Sequence, residues 1–219
     1  MRCKFIAWAA VALIGAAPFA GARADVLFDN TAQAPMGSDP ILDLGGGGAG
    51  PIAASFSTGA QGVDLGSISI VLQEVGGDSG TINVELFTGG ITAPGGTGVS
   101  IGSIDAGSLA TGFDSVSIAL TSSVVLASNQ RYWVELSSSD LSASDLTGWA
   151  YDGNSLGTGV PGEYTWNNYS PGDASYANDS AGYAYIMQIQ TVPEPASLGL
   201  LAFGLICLVV ARKRVYVRG

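Results

Sequence analysis

Between residues 25 and 191, apolar side chains recur at every second position in short runs, and no long stretch shows the period of a helix. Ile68, Ile70 and Leu72 alternate with Ser69 and Val71, and Ile82, Val84 and Leu86 alternate with Asn83 and Glu85. The pattern returns at Val116, Ile118 and Leu120, at Tyr132, Val134 and Leu136, and at Tyr183, Tyr185, Met187 and Ile189. Successive side chains of a strand point to opposite faces, so period two marks a strand with one buried face. Adding Ile52–Ser57, 99–104, 124–127 and Gly148–Tyr151 predicts eight to ten strands. Half-buried strands of this kind pack as two antiparallel sheets, face to face. The expected fold is all-β, an antiparallel β-sandwich of jelly-roll type. Glycine supplies 32 of 219 residues and, with serine, fills connections such as 45–50 and 88–98. Strand patterns continue on both sides of them and no period of roughly 20–50 residues recurs, so 25–191 reads as one domain.

Charge placement speaks to compartment more than to chemistry. All 18 acidic residues fall between Asp25 and Glu194, where Arg131 is the one basic residue. Such a field repels phosphate, which excludes nucleic acid as a partner. The chain has no His, the commonest general base and metal ligand. Its 2 cysteines, Cys3 and Cys207, lie in the terminal segments. The body therefore has no disulfide, thiolate nucleophile or thiolate metal site.

Both ends carry export features. Arg2 and Lys4 precede an apolar run over 5–17, and Ala22-Arg23-Ala24 is a small-x-small pattern before Asp25. Residues 1–24 read as a secretory signal peptide cleaved ahead of Asp25. Cys3 lies too early to be a lipidated cysteine. At the other end Pro193, Glu194 and Pro195 precede an apolar run over 196–211 and the basic tail 212–219. Sixteen helical residues span about 24 Å against a hydrocarbon core of roughly 30 Å, so this single short transmembrane helix inserts with thinning of the bilayer. The basic cluster keeps the tail cytoplasmic and places the acidic body outside. The prolines flanking Glu194 disfavour helix and hold the junction extended.

This combination over 192–219 resembles the PEP-CTERM sorting signal of Gram-negative exporters. The resemblance implies recognition of Pro193, Glu194 and Pro195 by a membrane-embedded transpeptidase of the exosortase type. Insertion in the inner membrane is then transient, the tail is removed, and the protein passes to the cell surface or extracellular matrix, often beside exopolysaccharide. The plainer alternative is a proline-stiffened stalk before a permanent anchor. Within the body, Ile82–Phe87 with Pro94-Gly95 and 101–104, together with the passage from Leu126 to Tyr132-Trp133-Val134 and Leu136, is similar to the choice-of-anchor R domain. Related bodies of that family carry alternative surface anchors, and it supplies no catalytic residues to carry over.

Motifs for catalysis fail on their own chemistry. Gly153-Asn154-Ser155-Leu156-Gly157 matches G-x-S-x-G, but no His is present to take the serine proton and both lysines lie in the terminal segments. Gly157-Thr158-Gly159-Val160-Pro161-Gly162 matches G-x-G-x-x-G, yet Pro161 opposes the helix that fingerprint requires. Gly45–Gly48 lacks the Lys-Ser/Thr of a phosphate loop. Carboxylates abound: Glu85 and Glu135 sit opposite the apolar faces of their strands, and Asp140, Asp145, Asp152, Asp173 and Asp179 lie in loops. The reading is a solvated acidic surface, with no pair marked as an acid and base. Asp140 with Asp145, and Asp173 with Asn178 and Asp179, are candidate Ca²⁺ ligands, since that ion takes oxygen donors. No other cofactor is expected. Trp149, Tyr151, Tyr164, Trp166, Tyr169 and Tyr176 form an aromatic stretch, of which Trp149, Tyr151 and Trp166 are candidate platforms for a sugar ring. The competing reading has Trp149 and Tyr151 capping the core. Arg131 is expected to pair with a carboxylate, and Asn168 and Asn178 open formal glycosylation sequons.

The leading expectation is a non-enzymatic exported surface or matrix protein. A carbohydrate-binding module is the alternative, and a carboxylate-based glycoside hydrolase the remote one.

Overall fold

The computed structural model describes residues 24–41, 51–75, 79–138, 147–154, 156–167, 174–177 and 183–193. The chain divides into the body, Ala24–Val192, and a second unit formed by Met1–Arg23 and Pro193–Gly219. The expected signal peptide and membrane helix, with Ala22, Glu194 and Pro195, lie outside the described residues. Among the described residues no helix is long and apolar enough to cross a membrane.

Fourteen strands are described in the body: β1 Val26–Asp29, β2 Gly37–Pro40, β3 Ile52–Ser57, β4 Val63–Glu74, β5 Thr81–Thr88, β6 Val99–Asp105, β7 Gly112–Ile118, β8 Val125–Leu126, β9 Arg131–Ser137, β10 Gly148–Tyr151, β11 Thr158–Gly159, β12 Glu163–Asn167, β13 Ala174–Ala177 and β14 Met187–Thr191. They form two sheets, and every pairing is antiparallel. The first runs β11-β1-β14-β4-β10-β2, with β7 and β8 also laddered to β4; the second runs β13-β12-β3-β9-β5-β6. The fold is thus all-β, as the alternation predicts.

The 12-residue β4 is the frame of the first sheet, because it ladders to β14, β10, β7 and β8. Leu65, Ile68, Ile70 and Leu72 are its buried face. The step from Leu65 to Ile68 breaks period two, and a bulge permits it: Thr191 pairs with Leu65 and Gln190 with Ser67, leaving Gly66 over. A Cβ on Gly66 would lie 2.4 Å from the Thr191 carbonyl oxygen, so only glycine fits there. Ile52, Phe56, Ile82, Val84, Val134 and Leu136 of the second sheet join these residues in one buried core. Fully burying an aliphatic or Phe side chain contributes roughly 1.5–3 kcal/mol, so this shared core carries the fold.

Polar stitching holds the edges. Asn30, 2% exposed, donates to Asp152 Oδ2 and to the Tyr185 carbonyl, both at 3.1 Å, and accepts from the Met187 N–H at 2.8 Å. Asp25 N–H donates to Thr191 Oγ1 at 3.0 Å, while Thr191 N–H donates to the Asp25 carbonyl at 2.9 Å. The first and last residues of the predicted body are therefore bonded to one another.

Three departures from the expected pattern have physical causes. Strand β2 is Gly-Ser-Asp-Pro with no apolar alternation; it forms because β10 offers it an unpaired edge. The last strand begins at Met187, not Tyr183: Tyr185 makes an isolated bridge to Tyr151, and Tyr183 is exposed. Strand β9 is buried on both faces, so its outward Trp133 is sealed from water and its outward Glu135 is nearly so.

Candidate functional site

The face of the second sheet turned away from the shared core carries the chemistry that the strand pattern alone does not reveal. Cross-strand partners in an antiparallel ladder share a face, so registers define rows. One row runs Trp166, Ala53, Glu135, Glu85 and Ser100, across β12, β3, β9, β5 and β6. The neighbouring row holds Ser55, Trp133 and Phe87. Glu85, Phe87 and Trp166 are partly exposed, whereas Ala53, Ser55 and Trp133 are fully covered.

Glu135 and Glu85 stand directly opposite each other, a placement that brings Cβ atoms to about 4.5–5.5 Å. Glu135 is 9% exposed, which corrects the expectation of a solvated carboxylate. Burial first, and then the like charge of Glu85, push its carboxyl up to about 7. Among the described residues the one cation is Arg131, and it is engaged with Glu163.

Arg131 opens β9 and pairs with Glu163, as a lone cation among carboxylates is expected to do. Its Nε lies 3.2 Å from Glu163 Oε2, in an ion pair whose angle falls short of a hydrogen bond. Nη1 donates to the Ile91 carbonyl at 2.9 Å and Nη2 to the Gly162 carbonyl at 2.8 Å. The guanidinium carbon also sits 4.8 Å from the Tyr164 ring centroid, within cation–π range. Glu163 is fully buried, and its Oε2 accepts from Ser55 Oγ. The arginine thus clamps the β5–β6 connection and the start of β12 over this end of the sheet. Besides Arg131 Nε, two buried polar atoms on or beside the face take no hydrogen bond, Trp133 Nε1 and Glu163 Oε1.

The residues singled out from sequence fall apart in space. Trp149 is fully buried in the other sheet, stacked on Tyr185 at 4.9 Å with its Nε1 donating to the Ile186 carbonyl at 3.1 Å. Neither face of that ring is free for a sugar. Tyr151 is partly exposed and packs edge-on against Tyr183 at 5.3 Å, in the same sheet as Trp149. Trp166 alone of the three lies on the carboxylate row. Asp152 is fully buried and accepts from Asn30 and from the Asn154 N–H at 3.1 Å, so it too is not a solvated loop carboxylate. Asp173, Asn178 and Asp179, like Asp140 and Asp145, lie outside the described residues, and among the described residues no group of three or more acidic, His or Cys side chains is gathered for a metal. Gly157–Gly162 passes through β11 into strand β12, with no helix to bind a phosphate.

At the C-terminal end, the Val192 N–H donates to the Asp64 carbonyl at 2.9 Å, after which Val192 and Pro193 are exposed. The ladder stops where the proline motif starts. Residues 191–214 match the PEP-CTERM protein-sorting motif. The motif signals export and membrane-linked sorting in Gram-negative bacteria, with exosortase, a membrane enzyme, as its processing partner. No curated protein matches the chain.

Two outcomes follow from this site. Glu135 holds its proton to higher pH in the folded chain than at the ordinary value of 4.5. Its contribution to folding stability is therefore complete below pH 4.5 and is lost as pH rises through about 7. Glu135→Gln removes that loss: urea unfolding at pH 8 should show a gain on the order of 1–2 kcal/mol after solvent screening, and at pH 4 little difference. Arg131→Met strands the buried Glu163 charge and should cost about 3 kcal/mol by the same measurement. Adding Glu163→Gln should recover more than half of it.

Proposed function

We propose that this chain is an exported cell-surface or matrix protein with a non-enzymatic, jelly-roll-like body, delivered and trimmed by exosortase and held beside exopolysaccharide. The observation that carries the reading is the sorting motif over 191–214, which begins at the last paired residue of the body. An exposed, proline-held junction directly after a closed ladder suits a processing enzyme, which must draw an extended segment into its site. The apolar run 196–211 then holds the chain in the inner membrane for the time that processing takes, with the basic tail on the cytoplasmic side. An acidic body free of His and Cys suits a role in spacing or adhesion and favours no nucleophile.

Intact-mass measurement on the surface protein should show loss of the tail 212–219. Replacing Pro193, Glu194 and Pro195 by alanine should leave the full-length chain in the membrane fraction. A native surface form that still carries the basic tail contradicts the processing step and leaves the permanent anchor in its place.

One observation favours a second reading. Retaining glycoside hydrolases use two nearby carboxyl groups, one of them with a raised pKa, and Glu135, pushed up to about 7, faces Glu85 across the ladder. On the leading reading, neutral oligosaccharides incubated with the purified chain gain no new reducing ends. Release of reducing ends that Glu85→Gln abolishes would establish the hydrolase instead.

A further inference from the structure

We infer that the outward face of the second sheet, from Trp166 across Glu135 to Glu85 with Trp133 beside them, is a binding site for a neutral glycan. The inference gives the proposed polysaccharide association a location, and it rests on that reading only for the source of the glycan.

The argument starts from unmet hydrogen bonds. Buried polar groups nearly always find partners, and each exception in a folded chain calls for an explanation. Here a buried donor, Trp133 Nε1, stands unmet on one row, and on the next stands the carboxyl group of Glu135, 9% exposed and with no hydrogen bond from the described residues. A divalent cation would suit the carboxylates but would be repelled by an N–H, whereas a carboxylic acid or phosphate would suit the N–H but not the carboxylates. Hydroxyl groups both donate and accept, so a polyhydroxylated ligand meets both needs at once.

The apolar surroundings fit the rest of such a ligand. Trp166 and Phe87 present partly exposed rings on this face, flanking the carboxylates as flat surfaces for the C–H faces of a pyranose. Glu85 keeps the row open to solvent, while Glu135 sits deeper. The Trp133 N–H is covered, so a sugar hydroxyl reaches it through a bridging water or as the covering groups shift. Charge then selects within the class. Eighteen carboxylates against one arginine, itself engaged with Glu163, repel uronate or sulfated polymers and leave neutral ones.

The test uses the full-length chain in a detergent without a sugar headgroup, titrated calorimetrically with hexasaccharides of β-1,4-glucose, β-1,4-xylose and N-acetylglucosamine. Separate arms use an alginate hexamer and Ca²⁺ alone. At least one neutral oligomer should bind. Trp166→Ala and Glu135→Ala should each weaken it about tenfold or more, and Trp133→Phe, which keeps the ring and loses the donor, by a smaller factor. Tyr151→Ala, in the other sheet, should leave binding unchanged, and thermal unfolding confirms that each variant is folded. The inference is overturned if no neutral oligomer binds, if the folded Trp166 and Glu135 variants bind as the parent does, if Tyr151→Ala weakens binding, or if alginate or Ca²⁺ alone is the better ligand. Because this assay does not depend on the tail, failure here alongside a trimmed native protein removes the glycan site alone, and an untrimmed tail alongside binding removes the sorting reading alone.

Discussion

A body with one arginine must bury all but one of its buried carboxylates without an arginine partner, and that scarcity shapes the polar architecture of this protein. Asp152 is held by the amide of Asn30 and the N–H of Asn154. At Asp29 burial works to raise the carboxyl, but hydrogen bonds from the Thr31 hydroxyl, the Gln188 amide and the Thr31 N–H outweigh it and hold the group below its ordinary value. Glu163 takes the arginine and the Ser55 hydroxyl. Glu135 receives no such donor among the described residues, and burial with the facing Glu85 pushes its carboxyl up to about 7. At Asp152 and Asp29 neutral donors stand in place of cations, and at Glu135, on the outward face of the second sheet, they do not.

That face also explains how the two sheets differ. The first is stabilised conventionally, with β4 and β14 burying one side and showing serines and glutamines on the other. In the second, β3 and β9 are buried through five consecutive residues each, as a strand covered on both sides must be. Covering both sides raises the energetic stake of every polar group placed there, because an unmet donor or acceptor away from water costs about 1–3 kcal/mol. A chain shaped by stability alone would fill such positions with aliphatic side chains.

Much of the architecture was legible because alternation is a local property. The inward faces of β4, β5 and β9 can be read from Ile68, Ile70 and Leu72, from Ile82, Val84 and Leu86, and from Tyr132, Val134 and Leu136. What alternation cannot say is whether the opposite face is wet. Glu135 looks solvated in the linear pattern and proves buried, since the cover on β9 depends on residues distant in sequence. Strand β2 was illegible because backbone pairing to β10 defines it, not its side chains. The partnership of Arg131 could be anticipated in kind but not in detail, as nothing local marks Glu163 as the carboxylate that closes over it. The aromatic stretch divides for a related reason: Trp149, which one reading of the sequence placed on the core, is sealed there, while Trp166, close in the chain, lies partly open in the other sheet. The C-terminal motif needed no folding to be read, because proline spacing, an apolar run and a basic end act as a linear address.

The mutual bonding of Asp25 and Thr191 has a mechanical consequence. Both chain ends leave the body at one spot, so a molecule moored by its C-terminal side is moored next to its N-terminus as well. A body held by that end would hang from one corner and would not be drawn out between two attachment points. Tension applied there would enter the body through the β1–β14–β4 ladders nearest that corner.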